Sequence, residues 1–226
     1  IMPTWNEKEK FSKVKKNIEL LNSKEVFIID WKSSDKTIST FSSLRKRIII
    51  SPPSRGIQLH LGARHAQENW FLFMHADTLL NNKNIKDINQ FIKEKNYKKV
   101  GYFKISFDSN SISALIISYW AYIRTVLFKL PFGDQCILIH RNYYQEIGGF
   151  APIPIMEDID FILKVPKKNK IFLNSAVQTS FRNYQENGVF KQSCKNIINQ
   201  IKFLIKWRIT YISWVKFLLW VFQKSA

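Results

Sequence analysis

Four short apolar runs punctuate the first half of the chain: EVFIID (Glu25–Asp30), RIIIS (Arg47–Ser51), NWFLFMHAD (Asn69–Asp77) and VGYFKISFD (Val100–Asp108). They are rich in branched and aromatic residues and read as buried strands. The stretches between them carry helical periodicity. In Glu7–Ser23, Phe11, Val14, Ile18 and Leu21 recur at three- and four-residue spacing. In Asn82–Glu94, Ile85, Ile88, Phe91 and Ile92 share one face, and Ile57–Gln67 begins another helix. Strand and helix alternating at such intervals predict an α/β fold on a mostly parallel sheet. Ligands of such sheets bind outside the carboxyl ends of the strands. Asp30 and Asp77 both stand at such ends.

The second half is less regular. Ser111–Lys129 reads as an unusually apolar helix, PFGDQ as a loop, CILIH as a strand, and RNYYQEIGGF as a helix closed by two glycines. APIPIMEDIDFILKV is a loop running into a helix, with Glu157 and Asp158 at its start. KIFLN and AVQTSFR read as two further strands, and from Gly188 onward the chain is helix-like and lacks acidic residues. The charge-free stretch Ser109–Ile123 spans about 22 Å as a helix, short of the roughly 30 Å hydrocarbon core, so a transmembrane helix is rejected. IMPTWNEKEK shows no secretory leader pattern. A cytoplasmic location follows as the expectation, with peripheral contact to a membrane left open.

Charge narrows the partners without choosing among them. Lys and Arg number 35 against 17 Asp and Glu, a net charge of +18, and such a field attracts phosphates, nucleic acid or anionic lipid. Two cysteines cannot form a disulfide framework, and Cys136, inside CILIH, is expected to be a buried, inert thiol. His60 and His65 are five apart, a poor spacing for a shared metal face. Neither GxxxxGK[ST] nor GxGxxG occurs, which argues against a P-loop nucleotidase and a dinucleotide-dependent dehydrogenase. Singly, each acid has an ordinary explanation: Asp30 ends a strand, Asp77 precedes a helix, and Glu157 and Asp158 suit a helix N-terminus.

Taken in order, the motifs say more. PTWNE (Pro3–Glu7), IIDWKSSDKT (Ile28–Thr37), SRGIQLHLGA (Ser54–Ala63), NWFLFMHADT (Asn69–Thr78), GDQ (Gly133–Gln135), GGF (Gly148–Phe150) and MEDIDF (Met156–Phe161) follow one another. This series resembles the family 2 glycosyltransferases. Within them it is most similar to the radical-SAM/selenodomain-associated transferase 2 subgroup, which includes arsenosugar-biosynthesis glycosyltransferases. The resemblance covers about residues 1–185. It implies a GT-A (Rossmann-like) mixed, mostly parallel sheet flanked by helices, followed over residues 186–226 by a basic, aromatic helical segment.

The resemblance also implies roles. Pro3, Thr4, Asn6 and Glu7 line the nucleotide pocket, Asp30 contacts the nucleobase or ribose, and Asp35 shapes the same loop. Arg55 and Gln58 lie near the base or diphosphate. Asp77 matches the last aspartate of the DXD motif, at the ribose and a Mg²⁺ or Mn²⁺ ion. Asp134 and Gln135 border the sugar and acceptor, Asp158 is the general base with Glu157 beside it, and Arg182 meets the leaving diphosphate. The implied reaction moves a sugar from a nucleoside-diphosphate donor to a hydroxyl acceptor, with inversion. The chain departs from the pattern at His75, in the first DXD position, at His60, where asparagine is expected, and at FRNY, one arginine short of an RRW-like segment.

Between Lys191 and Lys224, seven lysines and arginines alternate with seven aromatics. Such a helix suits either an anionic membrane surface or packing on the catalytic domain. Two rival functions stay open: a degenerate sugar-nucleotide-binding protein without catalysis, suggested by His75 and His60, and a nucleic-acid-binding protein using positive charge and aromatic stacking.

Overall fold

A computed structural model describes residues 1–44, 46–153 and 155–205. The chain divides after Phe181 into two units. Among the described residues, the first unit holds a three-stranded and a four-stranded sheet. The first sheet is parallel: β1 (Met2–Thr4), β2 (Phe27–Asp30) and β3 (Arg47–Ile50), in that order. Thr4, Asp30 and Ile50 lie in register, so the carboxyl ends of all three strands form one edge. The second sheet is mixed. It contains β4 (Trp70–Phe73), β5 (Val100–Phe107), β6 (Ile137–His140) and β7 (Lys170–Thr179), ordered β4-β6-β5-β7. β6 runs antiparallel to both neighbours, while β5 and β7 are parallel. The sheets join where the Ile1 amine donates to the Leu72 carbonyl (2.8 Å) and Met74 N–H donates to the Ile1 carbonyl (3.1 Å).

The helices are α1 (Phe11–Leu21), α2 (Thr37–Ser42), α3 (Arg55–His65), α4 (Asn82–Lys93), α5 (Ile112–Phe128), α6 (Arg141–Glu146) and α7 (Glu157–Lys164). One core cluster gathers Phe27, Ile29, Leu59, Phe71, Phe73, Val100, Ile137, Tyr144, Phe150 and Phe161. A second joins Met2, Ile28, Phe41, Met74, Ile88, Phe91, Phe103, Leu138 and Val177. Adjacent residues of β2 enter different clusters because strand side chains alternate between the faces. The α/β architecture expected from the alternation is observed, the second sheet being mixed as the resemblance implied, and Cys136 is buried as anticipated. Among the described residues, no helix is long and apolar enough to cross a membrane.

Three local expectations need correction. KIFLN and AVQTSFR form one strand, β7, which ends at Thr179. A register shift opposite Tyr102/Lys104 absorbs the polar break, and Asp87 accepts from Ser175 N–H (2.8 Å) and Oγ–H (2.6 Å). Polar groups with local partners need not end a strand. The helix predicted from Glu7 begins instead as a 3-10 turn, Lys8–Lys10. Its first amides are claimed by the neighbouring loop, Glu7 N–H by Thr37 Oγ and Lys8 N–H by Asp35 Oδ2. Strand β4 stops at Phe73, four residues before Asp77. There Asn17 captures the loop, donating to the Thr78 carbonyl (2.7 Å) and accepting from Leu80 N–H (2.9 Å).

The second unit begins with α8 (Arg182–Asn187), and residues 189–205 are helical. The rest of the basic aromatic segment, from residue 206, lies outside the described residues.

Candidate active site

The loops leaving β1 and β2 are sewn together by their own polar side chains. Asn6, at φ 54°, donates its N–H to Ser33 Oγ (2.8 Å) and accepts from Ser34 N–H (2.9 Å). Asp30 is fully buried and accepts from Thr4 Oγ–H (2.8 Å), Ser33 N–H (2.7 Å) and Ser33 Oγ–H (2.7 Å). Asp35 accepts from Lys8 N–H, Thr37 N–H and Thr37 Oγ–H. Slight desolvation opposes its ionisation, but these hydrogen bonds outweigh it and hold its carboxyl below the ordinary value. Gln58, buried on α3, donates to the carbonyls of Thr4 and Ile29 and ties the strand ends to the helix. The rim carries Trp5, 54% exposed, stacked on Trp31 with ring centroids 4.8 Å apart.

Helices α3 and α7 meet at their N-termini. A Cβ on Gly56 would collide with the Ala151 carbonyl oxygen and approach Glu157 Cβ to 3.2 Å, so only glycine permits the contact. The approach sets Arg55 Nε 3.5 Å from Glu157 Oε1. The adjacent Asp158 accepts from Gly133 N–H at 2.8 Å, which fixes one carboxylate oxygen against the GDQ turn. A Cβ on Gly133 would lie 3.0 Å from His75 Nε2 and 3.4 Å from Asp158 Oδ2, so imidazole and carboxylate flank the same backbone position.

The result is a concentration of acids. Asp134 is pushed up to about 6, first by burial and then, against the pull of Arg124, by the charges of Asp158 and Asp77. Glu7 is raised to about 7 by burial and then by Asp77. Burial, and next the Asp158 charge, raises Glu157 as well. His75 is held below its ordinary value, chiefly by burial and next by Arg55, so its imidazole stays neutral. Acids outnumber the cations around them in this cluster, and burial resists the ionisation of several. Asp77 Oδ2 accepts from Thr179 Oγ–H (3.3 Å), while the buried Oδ1 atoms of Asp77 and Asp134 have no hydrogen-bond partner. Buried carboxylate oxygens left open in a shared field fit a hard divalent cation whose remaining ligands come from phosphates and water. No group of three protein ligands forms among the described residues.

The predicted residues therefore separate into two sets. Glu7, Arg55, Asp77, Asp134, Glu157 and Asp158 share one electrostatic neighbourhood. Thr4, Asp30, Asp35, Gln58 and Gln135 are spent on holding loops. Gln135 is buried, accepts from Arg124, Thr125 and Phe132 N–H, and donates to the Phe103 carbonyl. Pro3 pairs with Ile29 inside the sheet. Arg182 opens α8 in the second unit, where it pairs with Glu186 at 2.5 Å. His60 faces the Tyr144 hydroxyl (3.3 Å), which accepts from Phe150 N–H (3.1 Å), so this departure braces the GGF turn. Sequence reasoning missed Asn17, which holds the Asp77 loop, and the Trp5–Trp31 pair. The available signals were an asparagine beside the apolar face of α1 and a tryptophan next to each strand end.

Parallel strand ends, a cluster of buried acids and an aspartate held against the GDQ turn make up the candidate site. The family 2 glycosyl transferase model matches residues 1–142, and the chain belongs to that family. No protein with a curated description matches it. Among solved structures it is similar to residues 1–349 of S. aureus TarS, with a TM-score of 0.60 and 16% identity. That match covers 79% of this chain and 59% of the other, so this chain spans under two thirds of the TarS structure. It is also similar to glucosyl-3-phosphoglycerate synthase from Mycobacterium tuberculosis, solved with Mn²⁺, UDP-glucose and phosphoglyceric acid. There the TM-score is 0.56 at 15% identity, covering 84% of this chain and 74% of that one. At such identities the likeness establishes the GT-A fold.

Proposed function

We propose that the chain transfers a sugar from a nucleoside diphosphate to a hydroxyl acceptor with inversion, with Asp158 as general base. The carrying observation is the 2.8 Å hydrogen bond from Gly133 N–H to Asp158 Oδ2 beside His75, Asp77 and Asp134. An acceptor hydroxyl attacks poorly until a carboxylate takes its proton. Gly133 occupies one oxygen of Asp158; the other accepts from Ile159 N–H (2.8 Å) and retains a lone pair for that proton. Departure of the nucleoside diphosphate develops negative charge, which Arg55 would stabilise. Asp77 and Asp134 would hold Mg²⁺ or Mn²⁺, which supplies positive charge to the diphosphate. Asp30, Asp35, Gln58 and Gln135 act as positioning residues, Thr4 and Asn6 shape the nucleotide pocket, and Glu157 orients Arg55. Membership of the radical-SAM-associated subgroup, a unit spanning about residues 1–185, a leaving-group role for Arg182 and a cytoplasmic, peripheral location complete the reading.

Thermal shifts with UDP, GDP, CDP and dTDP, each with and without Mn²⁺ or Mg²⁺, test the donor site, since a ligand of the native state raises its stability. One nucleotide should shift the melt with metal, and Asp77→Ala should abolish that shift. Asp158→Asn should retain nucleotide binding and lose about 10²–10⁴-fold in transfer rate. Near-native transfer by Asp158→Asn would remove it as the base. A second reading, binding without catalysis, draws on the neutral His75 in place of an acid. It predicts a nucleotide shift with no donor turnover.

A further inference from the structure

Helix α5 turns a wide apolar face outward. Ile112, Leu115, Ile116 and Tyr119 are each more than 60% exposed, and Trp120 and Leu127 continue the stripe toward the C-terminal end. These positions follow three- and four-residue spacing along the helix, so they share one side. Contiguous apolar surface of this extent marks an interaction site on a folded domain. The only ionisable side chains in α5 are Tyr119, Tyr122 and Arg124. Arg124 is committed elsewhere: its guanidinium lies 3.3 Å over the Phe132 ring and donates to the Leu130 carbonyl and Gln135.

We infer that the exposed face of α5 docks on an anionic lipid bilayer. Charge selects this occupant. The chain carries +18, so a second copy is repelled while an anionic leaflet is attracted. α5 has no acidic residue to oppose that attraction, and Lys104 flanks it, its ammonium 5.9 Å from the Tyr122 ring. Tyrosine and tryptophan among aliphatics suit the headgroup boundary, where one end of each ring is apolar and the other wet. The helix is 17 residues long, about 25 Å at about 1.5 Å per residue. The opposite side of α5 joins the GDQ turn through Thr125 and Arg124, which both donate to Gln135 beside Asp134. The docked surface and the contact with the turn that carries Asp134 are thus two sides of one element.

The test uses the full chain and vesicles of phosphatidylcholine with or without about 30 mol% phosphatidylglycerol, at low salt. Wild type should float with the anionic vesicles. Ile116→Glu/Tyr119→Glu, two exposed positions, should weaken that binding by about tenfold or more. The variant's unchanged melting and nucleotide-induced shift would report an intact fold and donor site. An environment-sensitive dye on Ile116→Cys, in a Cys194→Ser background, should shift to the blue on the same vesicles. Equal binding by the variant, an unmoved dye on vesicle-bound protein, or no vesicle binding by wild type would each overturn the proposal. So would a concentration-dependent dimer in sedimentation that the double variant abolishes. Loss of the nucleotide shift from wild type would instead count against the transferase reading, independently of the vesicles.

Discussion

Asp134→Asn should make the ligand-free protein more stable at pH 8 and leave it nearly unchanged at pH 4. Asp134 is buried with one oxygen unpartnered, and its carboxyl is raised from 3.8 to about 6 by burial and then, against Arg124, by Asp158 and Asp77. The folded value lies above the unfolded one, so the unfolded chain releases its proton first. Stability therefore falls as pH rises between 3.8 and about 6, and the penalty is complete above that window. At about 1.4 kcal/mol per pH unit the ceiling is about 3 kcal/mol, and relaxation around the charge reduces it to about 1–2 kcal/mol. Asparagine keeps the shape and removes the charge. Urea melts of both proteins at pH 4 and pH 8, without divalent cation, measure the difference. Mn²⁺ with nucleotide should stabilise wild type and not the variant, reversing the order at pH 8. Equal destabilisation of the variant at both pH values would refute the reasoning, because it would show that Asp134 contributes through packing and not through charge.

Two substitutions probe the frame around this cluster. A Cβ on Gly149 would lie 2.6 Å from Tyr144 Cζ at φ +59°, whereas one on Gly148, φ +77°, meets nothing. Gly149→Ala should cost about 3 kcal/mol or more and Gly148→Ala about 1 kcal/mol in urea melts. Gln135→Ala removes the side-chain partner of Phe132 N–H and of the Phe103 carbonyl, and takes one acceptor each from Arg124 and Thr125. It should lower stability by about 2–4 kcal/mol, seen as a reduced urea midpoint, and suppress transfer by loosening the turn that carries Gly133 and Asp134.

The α/β class was legible because strand burial and helix amphipathicity leave periodic signals in local sequence. EVFIID, NWFLFMHAD and the Asn82–Glu94 pattern each announced an element that is present. The acids that converge were legible as a set only through the order of motifs, since Asp77, Asp134 and Asp158 lie far apart in the chain. Their chemical division was not. Asp30 and Asp77 look alike as strand-end aspartates, yet Asp30 is saturated by Thr4 and Ser33 while Asp77 keeps a buried open oxygen. Gln135 reads as a polar pocket residue and proves to be the buried peg of its turn.

The sequence by itself determined the alternating elements, the net charge and the list of candidate acids, because these depend on residue type and on spacing over a few turns. The tertiary structure alone decided which carboxylates are spent on loops and which face one another, and which side of α5 stays uncovered. Those outcomes depend on desolvation and on partners supplied by distant segments, such as Asn17 for the Asp77 loop and Gly133 for Asp158.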